Sequence, residues 1–276
     1  MGLRTWLGMK PAPIREPLDQ PPLSDWVAPR KTCMIAAISR SGSYFLCSQL
    51  HETNVLGYPE EFFSPGAIKR RFGLEEVDAP RQAVLARQYG TTANDVTSIK
   101  FITRHFRQAR RHLRLEEWFP HVYWIWIMRS DRLAQAISWE IADQTQAHTS
   151  LMSAQARPVY SASAIGVRLE RIEQEELRWR AFFEEKAIEP LILWYDDLIA
   201  EPAAVVQKVA QFVGEDLAPT SDMPQRPNPL SGMAVQRNEI NQSWQRRFRM
   251  ERNVGLRKPL WKLVHRRRLQ KSNDRL

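Results

Sequence analysis

Cysteine is nearly absent from this sequence: Cys33 and Cys47 are the only two in 276 residues, and both lie inside apolar runs. That excludes a disulfide framework and reads as a pair of buried, reduced thiols. Long hydrophobic runs are missing too. The longest, VYWIWIM at 122–128, falls far short of the roughly 20 residues a membrane-spanning helix needs. No apolar stretch near the N-terminus resembles a signal peptide. Trp6 stands where a myristoylation signal needs Ser or Thr, so lipidation is not expected. The expected location is the cytoplasm. Acidic residues are the scarcer charge, 31 Asp and Glu against 40 Lys and Arg, leaving a net charge of +9. Such a balance favours an anionic partner: nucleotide, acidic glycan, nucleic acid or membrane surface. No nucleic-acid-binding module accompanies the charge, so nucleic acid is not an expected partner.

What remains is an ordinary globular composition, 43% hydrophobic and 26% charged. The chain divides into a proline-rich leader (1–30), one domain (31–252) and a basic tail (253–276). Five runs read as strands: 33–38, a weaker one at 54–58, 96–101, 122–128 and 190–195. Several are continuously apolar and β-branched, as strands covered on both faces are. Helical spacing of apolar residues marks Ser43 to Glu52, 131–147, 161–186 and 201–214, the last with Pro near its start and Gly at its end. The alternation predicts an α/β three-layer sandwich around a central parallel sheet, with ligands at the carboxyl ends of the strands.

The first strand ends in SRSGS, residues 39–43, and a helix follows at once. A helix starting at Ser43 turns its unpaired N–H groups and positive dipole end toward this loop. Gly42 allows close approach of backbone to ligand, Ser41 and Ser43 add hydroxyls, and Arg40 adds a forked cation. Together these suit a phosphate or sulfonate. The loop has one glycine, no lysine, and Tyr44 where a Mg²⁺-holding hydroxyl belongs, so it is not a triphosphate loop of the GxxxxGK[ST] kind. By itself it is equally readable as a plain strand-to-helix turn. A second candidate follows the strand at 122–128: Arg129 leaves the strand's carboxyl end, with Ser138 nine positions on. If the two strands are neighbours, both sites open into one crevice, each holding one anion.

An oxyanion loop paired with an Arg and Ser cluster is the arrangement sulfotransferases use for 3′-phosphoadenosine-5′-phosphosulfate. The segments SRSGSYFLCSQLHETNVLGYPEEFF (39–63), RSDRLAQAISW (129–139), WRAFFEEKAIEP (179–190) and QRNEINQSWQRRFR (236–249) resemble the bacterial trehalose 2-sulfotransferase family, which includes lipopolysaccharide-modifying sulfotransferases. The resemblance runs over roughly residues 33–250. It implies a P-loop-like sulfotransferase fold, transfer of a sulfuryl group from that donor without a metal, a carbohydrate or glycolipid acceptor, and a homodimer. It places the 5′-phosphosulfate on Arg40, Ser41, Gly42, Ser43 and Tyr44, and the 3′-phosphate on Arg129 and Ser138. Gln236, Trp244 and Arg247 match a segment that closes over the nucleotide.

For the base, the resemblance points to Glu61 in YPEEFF, with Glu60 as the confounding neighbour. Burial beside Phe62 and Phe63 is expected to raise its pKa toward a useful value. Arg40 is expected at the transferring group, assisted by Lys100. His51 and His105 are the nearest histidines and are expected on helix surfaces. Tyr58, Glu60 and Gln144 are the candidate acceptor contacts. Tyr58 replaces the family's first glutamate, and Tyr44 replaces its threonine. The sugar is therefore not carried over with the cofactor. The tail, with Leu260, Trp261, Leu263 and Val264 among its basic residues, reads either as a solvated helix or as a contact with an anionic membrane surface. Two rivals remain: a small-molecule kinase on a related fold, and a non-catalytic nucleotide-binding protein.

Overall fold

The computed structural model describes residues 26–217, 226–232 and 239–252. The basic tail, Gln236 and most of the leader lie outside the described residues. In chain order the elements are β1 (Lys31–Ala37), α1 (Ser43–Glu52), α2 (Pro65–Phe72), α3 (Ala79–Tyr89), β2 (Val96–Ile102), α4 (Thr103–Arg110) and α5 (Leu115–Trp118). They continue with β3 (Val122–Met128), α6 (Arg132–Thr145), α7 (Ala162–Glu185), β4 (Leu191–Trp194), α8 (Tyr195–Ala200), α9 (Pro202–Val213) and α10 (Glu239–Arg252). Among the described residues, no helix is long and apolar enough to cross a membrane.

The four strands form one parallel sheet in the order β2-β1-β3-β4. Because successive side chains of a strand leave on opposite faces, one sequence feeds two cores. Met34 and Ala36 of β1, Ile99 and Phe101 of β2, and Trp124 and Trp126 of β3 face an aromatic core completed by Phe106, Trp179, Phe182 and Phe183. Cys33, Ile35 and Ala37, with Ile125 and Ile127, face an aliphatic one against Leu46 and Leu50 of α1 and Val205, Val209 and Val213 of α9. Both cysteines are free and buried there, and burial pushes each thiol up to about 12. Helices on both faces complete the three-layer α/β sandwich expected from the sequence.

The weak strand expected at 54–58 is not a strand. Asn54 (φ 58°) and Gly57 (φ 75°) adopt left-handed backbone, which breaks an extended run. At Gly57 the chain passes so close to β2 that a Cβ would stand 2.5 Å from the Ser98 hydroxyl. In the stretch that follows, Glu60 makes a bridge to the sheet, to Ile99. That bridge, with the Lys100 amide donating to Glu60 O at 3.0 Å, holds residues 60 and 61 against β2, where the first cavity wall is built.

Candidate active site

The loop after β1 turns tightly because two of its residues are left-handed, Arg40 (φ 64°) and Gly42 (φ 89°), and the Ser41 amide donates to the Ile38 carbonyl at 3.1 Å. Its carbonyls are held from the aromatic side: Trp179 Nε1 donates to Ala37 O (3.1 Å) and Gln135 Nε2 to Ser39 O (2.9 Å). Gly42 has no steric alternative. A Cβ there would lie 2.3 Å from Cδ2 of Tyr195, which follows β4 in the segment WYDDL. The α1 N-terminus has no side-chain cap, so its first amides face the loop. Ser41 is 1% exposed, and its hydroxyl has no hydrogen-bond partner among the described residues. Buried polar groups are normally satisfied, and an oxyanion in the loop would satisfy this one. Gly42→Ala combines strained backbone, costing about 1–3 kcal/mol, with a clash. It is expected to lower the melting temperature and abolish stabilisation by a bound nucleotide. A Gly42→Ala protein that keeps the full nucleotide shift would exclude the loop as an anion site.

Since β1 and β3 are neighbours, Arg129 at the end of β3 reaches the same loop. Its Nη1 donates to Arg40 O at 3.4 Å, and its guanidinium lies 4.5 Å from the centre of the Tyr195 ring. Arg40 Nε donates to Ser138 Oγ on α6 at 3.0 Å, and Nη1 donates to His148 O. Arg40 therefore stands with Arg129 and Ser138 in one cluster. The sequence had placed it apart, at the transferring group. Burial, and then the charge of Arg129, bring the Arg40 pKa down to about 10. Two guanidiniums held this close favour an anion between them.

The opposite wall carries the carboxylate. Glu61 pairs with Lys100 Nζ at 2.9 Å, the two side chains being 10% and 2% exposed. The Tyr44 hydroxyl donates to the other carboxylate oxygen of Glu61 at 3.1 Å, and Lys100 Nζ sits 3.1 Å from the centre of the Tyr44 ring. This overturns the expected upward pKa shift of Glu61. Burial does push it up, but the Lys100 charge and hydrogen bond, with smaller contributions from His105 and Tyr44, hold it below the usual carboxylate value. Phe62 and Phe63 belong to the aromatic core. Lys100 is raised despite its burial, chiefly by Glu61. The pair is ionised at neutral pH.

A cavity of about 690 Å³ joins the two walls, with Arg40, Gly42, Ser43, Tyr44, Arg129 and Ser138 around the loop and Glu61 with Lys100 across from it. Other sequence candidates stand elsewhere. Glu60 pairs with Arg71 at 3.4 Å; Tyr58 is buried, bonded to Asn54 and packed on His51. The Gln144 amide clamps residue 159, donating to Val159 O (3.0 Å) and accepting from its N–H (2.7 Å). Trp244 is buried against Tyr160, and Arg247 lies 4.1 Å from the centre of the Tyr160 ring and bonds Glu251 at 2.7 Å. None of these lines the cavity.

Sequence reasoning missed several residues that do: Arg70, Arg104, Gln108, His148, Arg171 and Tyr195. Both histidines expected on helix surfaces are buried, His51 at 6% and His105 at 4% exposure. His105 lines the cavity, its Nε2 3.1 Å from Arg104 Nη2, and burial drives its pKa down to about 4, so it is neutral. The rule that singled out Lys100, a residue at a strand's carboxyl end, extends to α4, which starts as β2 ends. Reading that next turn would have found Arg104 and Gln108 and put His105 in the wall.

A curated relative, the trehalose 2-sulfotransferase of Mycobacterium tuberculosis (strain ATCC 35801 / TMC 107 / Erdman), is 31% identical over 137 residues, 48% of this chain. The match spans 46% of that relative, about half its length. Among solved structures, the sulfotransferase domain of the Synechococcus PCC 7002 olefin synthase aligns over 83% of this chain and 98% of its own, at 14% identity and a TM-score of 0.39. The family model described as Stf0 sulphotransferase matches residues 32–251, from the second residue of β1 to the last full turn of α10, and on that match the chain belongs to the Stf0 sulphotransferase family.

Proposed function

We propose that this sulfotransferase moves a sulfuryl group from 3′-phosphoadenosine-5′-phosphosulfate to a hydroxyl of a carbohydrate or glycolipid. The observation that carries the reading is the opposition, across one cavity, of the Arg40, Arg129 and Ser138 cluster and the buried Glu61–Lys100 pair. When bound, the donor supplies the sulfuryl group and a bisphosphate leaving nucleotide. Everything else falls to this chain. The amides at the start of α1, with the Ser41 and Ser43 hydroxyls, bind the 5′ phosphosulfate. The guanidiniums of Arg40 and Arg129, with Ser138, grip the 3′-phosphate. That leaves Lys100 as the cation nearest the carboxylate, and it takes the charge-neutralising role the sequence had suggested for Arg40.

Glu61 orients the acceptor hydroxyl and receives its proton on a carboxylate oxygen. Its depressed pKa means that the proton moves only as positive charge builds on the attacking oxygen, which suits a loose, in-line transfer served by positioning and electrostatics. As Glu61 is neutralised, Lys100 loses its partner and its charge becomes available to the sulfonate oxygens. Tyr44 holds the carboxylate in place through its hydroxyl and the ammonium through its ring. The proposal includes a homodimer and contact of the basic tail with an anionic membrane surface.

The test is transfer of labelled sulfate from the donor to sugars and glycolipids, run beside thermal shifts with adenosine 3′,5′-bisphosphate, AMP and ATP. The bisphosphate should stabilise most and ATP should not exceed AMP. Equal shifts for AMP and the bisphosphate would remove the 3′-phosphate assignment, and absence of label in any acceptor would remove the activity.

A further inference from the structure

The sheet order gives the cavity two distinct ends. β1 lies between β3 and β2, so its loop is central, with Arg129 on the β3 side and Lys100 on the β2 side. The β3 side is walled by α6 and α7, and it holds the anion cluster. The β2 side is walled by the start of α2, from Ser64 to Gly66, and by Arg70, Arg104 and Gln108. A molecule that offers a hydroxyl to Glu61 lies on this second side, because a nucleotide gripped by Arg129 and Ser138 fills the first.

The charges on that second side are of one sign. Glu61 is the one carboxylate of the β2 side among the described lining residues, and Lys100 already neutralises it. Glu60 turns away to Arg71. The remaining acids of the lining, Asp143 and Glu175, belong to α6 and α7. Arg70 and Arg104 are exposed at the mouth, and neither makes an ion pair among the described residues. Arg104 contacts the neutral His105 ring, while Arg70 Nη1 lies 3.4 Å from where a Cβ on Gly66 would be, over the first turn of α2. Two guanidiniums that make no ion pair among the described residues match oxyanions, whose planar or forked oxygens they bind bidentately, far better than they match neutral hydroxyls.

We infer that the β2 end of the cavity takes an anionic acceptor: a carbohydrate bearing a phosphate or carboxylate close to the hydroxyl that is sulfated, with Arg70 and Arg104 holding the oxyanion. The inference rests on the sulfotransferase reading of the cavity and adds to it the acceptor's charge. It also accounts for cations at both ends. Attack by an anionic acceptor on an anionic donor is repulsive, and Arg70 and Arg104 screen the acceptor as Arg40 and Arg129 screen the nucleotide.

The experiment measures sugar binding by calorimetry to protein saturated with adenosine 3′,5′-bisphosphate, which keeps sugar phosphates out of the Arg40 and Arg129 cluster. The probes are trehalose, trehalose 6-phosphate and a glucuronate-ended disaccharide. At least one anionic sugar should bind about 30-fold tighter than trehalose, the worth of one charge-assisted hydrogen bond. The arm that gains identifies phosphate or carboxylate. The double variant R70A/R104A should bind all three sugars within about threefold of one another, while its nucleotide-induced thermal shift is unchanged. Equal binding of neutral and anionic sugars, or a preference that survives in R70A/R104A, overturns the inference alone. A nucleotide that gives no stabilisation overturns the donor reading and the inference with it.

Discussion

Glu61→Gln is expected to lower kcat for sulfuryl transfer by about 10²- to 10⁴-fold, the usual contribution of a positioned general base, while nucleotide binding stays within about threefold of wild type. The amide keeps the shape of the carboxylate, and its oxygen can still accept from Lys100 while its nitrogen faces the Tyr44 hydroxyl, but it cannot take a proton. It also leaves Lys100 charged and 2% exposed with no carboxylate beside it. Removing one partner of a buried pair destabilises by on the order of 3 kcal/mol, so activity must be read together with stability. Adding Lys100→Met removes the stranded charge: the Glu61→Gln/Lys100→Met protein should recover most of the lost melting temperature and none of the activity. Recovery of both would make Glu61 a structural residue, and a Glu61→Gln enzyme within about tenfold of wild type would remove it as the base.

The same pair sets the pH response. The Glu61 pKa in the fold lies below its ordinary value of 4.5, so its stabilising contribution is present above the unfolded value and is lost as pH falls through the folded one. Lys100 is raised above 10.5, so its contribution is full below that value and is lost as pH rises through the folded one. Between those limits the pair stays charged. Transfer should therefore show no acid limb from Glu61 until pH drops below about 4.5, and Glu61→Gln should remove this carboxylate's share of the acid-dependent part of the stability curve, leaving that of Glu215, which is depressed as well.

Arg129→Ala is expected to erase preference for the 3′-phosphorylated nucleotide. Wild type should bind adenosine 3′,5′-bisphosphate much more tightly than AMP, because Arg129, at the end of β3, donates to Arg40 O while Arg40 donates to the Ser138 hydroxyl on α6, which gathers two guanidiniums at one end of the cavity. Losing one charged hydrogen bond of about 1.5–3 kcal/mol should weaken bisphosphate binding by about 10- to 150-fold. AMP should change little, since the loop amides that take its 5′-phosphate are untouched. Calorimetry on both nucleotides checks this. An unchanged ratio would mean that the cluster binds something other than the 3′-phosphate. Arg129 also packs on Tyr195, which blocks any side chain at Gly42. The readout is therefore the ratio between the two nucleotides, which a general loosening of the loop would not alter.

Much of the scaffold was legible because strands buried on both faces must be apolar along their whole length. β1, β3 and β4 stand out on that ground, β2 less so because Thr97, Ser98 and Lys100 interrupt it, and so do α1 and α9, whose apolar stripes cover one face of the sheet. Residues 54–58 read as a weaker strand and failed, because Asn54 and Gly57 are left-handed and Gly57 passes close against Ser98 of β2. α4, TRHFRQAR, escaped notice for the opposite reason. Its sequence is mostly polar, yet Phe106 enters the aromatic core and His105 enters the cavity wall.

The loop, the two arginines and the lysine could be named from the chain because each sits at or near the end of a strand that is visible in sequence; the carboxylate, which follows no strand, was pointed to by the family resemblance. How they face one another could not. The choice between Glu60 and Glu61 follows from one bridge to Ile99, beyond which neighbouring side chains leave on opposite sides, one to Arg71 and the other to Lys100. The position of Arg40 follows from a hydroxyl 98 residues away on α6, and the depressed pKa of Glu61 from a lysine on β2. Sequence supplies local chemistry because strand ends and helix starts are local. Partners, charge states and the two ends of the cavity arise from crossovers that bring distant segments together, and only the tertiary structure decides them.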